Sequence, residues 1–96
     1  MKEKRKAYEE KLDAQLKEWK SQIAVLKAKA DKAKADTKMN YYKIIQALEH
    51  KRDEARTHLQ ELKTAGDEAW ENQKTGVEKV LDAFQTAFHG AAENFK

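Results

Sequence analysis

The sequence predicts an all-α protein on three observations. There is no proline and there are only three glycines in 96 residues, while the strong helix formers alanine, lysine, glutamate, leucine and glutamine dominate. An apolar seam can be followed in steps of three or four from Leu12 to Phe95, about 3.6 residues per step, the pitch of an α-helix. A phrase also repeats every eleven residues: "LQELKTA" from Leu59, "WENQKTG" from Trp70, "LDAFQTA" from Leu81 and a truncated "AENFK" from Ala92. Together these predict one long amphipathic helix, heptad and then hendecad in pattern, that forms an oligomeric coiled coil or helical bundle. The alternative is an α-helical hairpin with its turn near residues 38–41 or 64–67.

Residues 1–96 read as a single helical unit with two halves of opposite charge. Residues 1–48 hold 13 Lys/Arg against 7 Asp/Glu, and residues 49–96 hold 7 against 10. Such halves favour arrangements that lay one against the other. In the first half the seam runs through Leu12, Leu16, Trp19, Ile23, Leu26, Ala30, Ala33, Thr37, Tyr41, Ile44 and Leu48. From Leu16 to Thr37 the steps alternate three and four, a heptad that imposes left-handed supercoiling. Lys20, Lys27 and Lys34 share a flanking column, which disfavours a parallel in-register partner and points to antiparallel pairing. Between Lys27 and Lys38 only alanine faces the seam, so this tract is expected to be the weak middle of any bundle.

In the second half the seam continues through Arg52, Ala55, Leu59, Leu62, Gly66, Ala69, Gln73, Val77, Val80, Phe84, Phe88, Ala91 and Phe95. Eleven residues make three turns, so similar side chains stack in columns, Leu59, Trp70 and Leu81 forming one of them. The stripe is about 100° wide, enough for a core-facing surface. The expected interface residues are Leu12, Leu16, Trp19, Ile23, Leu26, Ile44, Leu48, Leu59, Leu62, Trp70, Val77, Val80, Leu81, Phe84, Phe88 and Phe95. Two places offer a break: Asn40, and Gly66-Asp67 as a C-cap followed by an N-cap. The seam stays in phase through both, and this favours the continuous helix.

The chemistry-bearing residues give little purchase for catalysis. Cysteine is absent and Ser21 is the only serine, which leaves no thiolate and no credible nucleophilic triad. His50, Glu54 and His58 share a helix face at i, i+4 spacing, but a structural metal site wants four ligands, and a solvated polar face accounts for them. No catalytic, cofactor or metal residue is expected, and the protein reads as non-enzymatic. The basic clusters "KEKRK" and "KAKADKAKADTK" are interspersed with acids and alanines, so a nucleic-acid adaptor is only a third reading. No stretch reaches the roughly 18 apolar residues of a spanning helix and the N-terminal basic cluster lacks an apolar run behind it, so a cytoplasmic protein is expected.

Three stretches, "KRKAYEEKLDAQLKEW", "LKAKADKAKAD" and "AWENQKTGVEKVLDAFQTAFHGAAENF", resemble a family of small bacterial coiled-coil stress-response proteins. The eleven-residue pattern is also similar to that of late-embryogenesis-abundant proteins and exchangeable apolipoproteins. The resemblance implies a helical rod and a stress association, and supplies no catalytic residues. The function expected is therefore a structural, self-assembling coiled coil whose main partner is itself. The alternative is an amphipathic protectant helix that covers anionic membrane surfaces or client proteins.

Overall fold

The structure, a computed structural model, describes residues 2–94 and the side chains of residues 3–93. It is an all-α bundle of three helices, α1 (Lys2–Asp31), α2 (Ala35–Thr64) and α3 (Asp67–Asn94). The molecule measures 51 × 18 × 18 Å, close to the length of a single 30-residue helix at about 1.5 Å per residue. The seam predicted for one rod is thus carried by three helices folded side by side. One of the two breaks, at Ala65 and Gly66, lies within the 64–67 turn of the hairpin alternative. The other falls at residues 32–34 instead of 38–41, and Asn40 lies inside α2.

The first break carries none of the usual stop signals. Lys32 and Ala33 donate backbone N–H groups to Lys29 and Ala30 carbonyls at 3.2 and 3.0 Å, a tightened last turn of α1. Lys34 then adopts an extended conformation (φ −67°, ψ 155°) with no side-chain cap. The alanine tract is therefore the α1–α2 turn and not the middle of the bundle, and small side chains let it pack there: Ala30 is fully buried. The second break has more sequence support. Lys63 in the last turn of α2 and Asp67 and Glu68 in the first turn of α3 each match the local end of the helix dipole. Ala65 is the extended residue (φ −72°, ψ 145°), and the Gly66 carbonyl accepts the first bond of α3, from the Trp70 N–H at 2.8 Å. No described residue has positive φ, so neither turn needs glycine's freedom.

Helices α1 and α2 run antiparallel, tied by Asp13–Lys63 and Lys27–Glu49 pairs, each at 3.0 Å. Helix α3 runs parallel to α1, as shown by the contacts Arg5–Asp67, Tyr8–Trp70 and Trp19–Phe84. Helix α2 touches both neighbours closely, whereas no Cα of α1 comes within 8 Å of a Cα of α3 among the described residues. Long aromatic side chains fill that wider gap. The core is wholly apolar and falls into two clusters. One is built on Trp19, Ile23, Leu26, Ala30, Ile45, Leu48, Ala55, Phe84 and Ala91. The other comprises Leu12, Leu59, Leu62, Trp70 and Val77. Half-buried Leu16 and Leu81 pack against both.

These positions rank the effects of single substitutions. Phe84 is fully buried at the centre of the larger cluster, and Phe84→Ala should destabilise the bundle by about 3–5 kcal/mol. Ala33→Ser, at the half-buried turn, should change stability by less than about 1 kcal/mol. Thermal melts at fixed protein concentration check both, and equal melting temperatures for the two variants would contradict the assignment of the core.

Candidate functional site

The α1–α3 seam is where the chemistry-bearing side chains gather. Of the expected interface residues, Leu12, Trp19, Ile23, Leu26, Leu48, Leu59, Leu62, Trp70, Val77 and Phe84 are buried inside the single chain. Leu16, Ile44, Val80, Leu81 and Phe88 are half-buried against them. Phe95 lies outside the described residues. The stripe is therefore covered by the chain's own helices.

Midway along the seam the Trp19 and Phe84 rings stack, with centroids 3.7 Å apart and planes 11° from parallel. Phe88 continues the column at 6.1 Å. Nearer the N-terminus of α1, Tyr8 meets Trp70 edge-on at 5.6 Å, and the Trp70 Nε1–H donates to Glu9 Oε2 at 3.1 Å. Arg5 and Lys74 hold cations 5.4 and 5.7 Å from the centre of the Trp70 ring, within range of the ring quadrupole. The Tyr8 hydroxyl lies 3.5 Å from Glu78. Burial first, and then the Glu78 carboxylate, push its pKa above the ordinary tyrosine value. An open cleft of about 610 Å³, flanked by Lys4, Arg5, Tyr8, Trp70, Glu71 and Lys74, runs beside this group.

Arg5 does more than sit over the ring. Its guanidinium donates to the Ala65 carbonyl at 2.9 Å and, at 3.4 Å, to the Leu62 carbonyl, which also accepts the Ala65 N–H at 3.2 Å. It also reaches Asp67 at 3.0 Å. One side chain of α1 thereby closes the turn between α2 and α3. The sequence carried a signal for this group: the seam extends backward from Leu12 by four and then three residues, to Tyr8 and Arg5. Ile45, also missed, is three residues before Leu48. Helix α2, packed between two neighbours, uses both Ile44 and Ile45 where a one-sided helix would use one.

The histidine face does not converge on a ligand. His50 Nε2 pairs with Glu54 at 2.9 Å, while His58 faces Glu61 at 3.9 Å. Among the described residues no three His, Asp or Glu side chains are placed to hold a metal ion, and no described helix is long and apolar enough to cross a membrane. No family model, curated protein or solved structure matches the chain.

The Arg5–Asp67 pair is largely solvent-exposed on the Asp67 side (91%) and contributes little; the carbonyl contacts matter more. Arg5→Ala should destabilise the bundle by about 1.5–3 kcal/mol, the range for hydrogen bonds that involve a charged group. Asp67→Asn should change it by under about 0.5 kcal/mol. Chemical denaturation of the two variants distinguishes the roles, and an equal loss in both would assign the effect to the ion pair.

Proposed function

We propose that this chain is a non-enzymatic structural module that assembles with other copies of itself by opening its bundle and exchanging helices. The observation that carries the reading is the first turn. It is built from Lys32, Ala33 and Lys34, residue types that favour helix, and Lys34 departs from helical geometry only in ψ,. The three- and four-residue steps of the seam also carry through the first turn, from Leu26 and Ala30 to Tyr41 and Ile44, which a permanently folded bundle has no need of. With residues 32–34 helical, α1 and α2 become one rod whose apolar stripe is continuous. That stripe then needs cover from a second chain, and exchange of identical elements supplies it with the contacts already used inside one chain. The resemblance to stress-response proteins supports a stress-associated role, in which crowding or damage favours the assembled form, and a cytoplasmic setting.

A second reading shares the opening and changes the cover. The half-buried Val80, Leu81 and Phe88 on α3 widen the face that carries Trp70, Val77 and Phe84, and this favours an anionic membrane surface or a client protein as the alternative surface for the opened stripe.

Lys34→Pro tests the first reading. Proline suits φ −67° at this position,, the Lys34 N–H makes no hydrogen bond among the described residues, and proline disfavours helix at residue 33. The variant should keep the helicity of the bundle and stay monomeric at high micromolar concentration, where the unmodified chain should form dimers in sedimentation equilibrium. If the unmodified chain stays monomeric throughout, helix exchange is wrong. If anionic vesicles alone then shift the fluorescence of Trp19 and Trp70, the second reading replaces it.

A further inference from the structure

The α1–α2 groove carries a ladder of charged rungs with one rung of the wrong sign. Asp13 pairs with Lys63 and Lys27 pairs with Glu49 across the groove. These rungs are fourteen residues apart on each helix and in the same antiparallel register. Seven residues from each, that register sets Lys20 opposite Arg56, and both line an open cleft of about 340 Å³. Lys17 and Arg52 line it beside them, over a floor of half-buried Leu16 and buried Leu59. Lys17 and Lys20 have no ion-pair partner among the described residues. Asp53 serves both arginines, at 3.2 Å from Arg52 and 3.5 Å from Arg56. The paired Asp13 and Lys63 line the cleft as well, so five cations share it with one carboxylate, Asp13, while Asp53 is not among the lining residues.

We propose that this groove is a binding site for a small oligophosphate, an anion of two or three linked phosphates. Like charges set opposite each other repel, and a multivalent anion between Lys20 and Arg56 turns that repulsion into two attractions. Arginine supplies a planar fork for phosphate oxygens and lysine a mobile point charge. The apolar floor lowers the local dielectric and strengthens both. Lys17 and Lys20 span roughly 4.5 Å along the axis of α1 and Arg52 and Arg56 roughly 6 Å along that of α2, about one turn on each helix, a short run closed at either end by Glu49 and Asp13. A nucleic-acid backbone or a membrane plane would run onto those carboxylates, whereas a small anion fits between them. Because the site needs α1 and α2 side by side, its ligand stabilises the paired arrangement over separated helices.

The test is calorimetric titration of the full chain with inorganic tripolyphosphate in about 0.15 M salt, with inorganic phosphate, a short oligonucleotide and anionic vesicles as separate arms. Tripolyphosphate should bind one per chain and raise the melting temperature more than chloride at matched ionic strength. Lys20→Glu should weaken that binding at least about tenfold, a change of about 1.4 kcal/mol. The same substitution sets a carboxylate opposite Arg56 and completes the ladder, so the variant should melt no lower than the unmodified chain without ligand. Lys79→Gln, on α3 outside the groove, should bind as the unmodified chain does. Equal stabilisation by chloride, unchanged binding by the Lys20→Glu variant, or binding of the oligonucleotide or vesicles but not of tripolyphosphate would each overturn the proposal.

Discussion

The stack of Trp19 on Phe84 closes this bundle. Helix α2 approaches both neighbours closely and could form a hairpin with either. Only side chains bridge α1 and α3, and the two large rings at their centre are 2% and 0% exposed. A two-helix hairpin would leave roughly half of each stripe in water, an apolar area that invites association. The third helix removes it, provided that the α1–α3 gap is filled by groups as large as indole and phenyl. The placement of the aromatics follows from this. Tryptophans and phenylalanines stand where backbones are far apart, and Ala30, Ala55 and Ala91 where the core tightens.

The ends of the bundle are secured by different means. At the α2–α3 turn, Arg5 reaches from a third helix to the last carbonyls of α2, so the turn depends on tertiary contact. At the α1–α2 turn the Lys34 side chain makes no cap bond, the exposed Asp36 carboxylate accepts the Thr37 N–H at 3.0 Å, and the Tyr42 hydroxyl donates to Asp31 across the turn. The Asp31 carboxylate, through that bond, raises the Tyr42 pKa. One turn is therefore stapled and the other lightly held, an asymmetry that makes residues 32–34 the natural hinge.

The all-α class and nearly the whole buried set were legible because a 3.6-residue period shows in side-chain chemistry whatever covers the seam. The breaks were less so. Lys-Ala-Lys is a helix-forming phrase, and its turn arises because folding back buries Trp19 and Phe84, a long-range gain that no local signal records. Phase continuity argued for one helix and is shared by a chain that folds into three. Ala69 illustrates the limit: it keeps the seam's step, yet it is exposed while its neighbour Trp70 is buried, because the azimuth resets slightly at Gly66. Arg5 escaped notice as one charge in a basic cluster, and its role depends on a carbonyl 60 residues away.

The central claim, that one chain buries its own stripe with α1 parallel to α3, is tested most directly by nuclear Overhauser contacts between the Trp19 indole and the Phe84 ring. Two samples decide it: a uniformly labelled chain at low micromolar concentration, and a mixture of labelled and unlabelled chains with isotope filtering. The account predicts a strong contact within the labelled chain at low concentration and none between chains there. A contact seen only between labelled and unlabelled chains would contradict it.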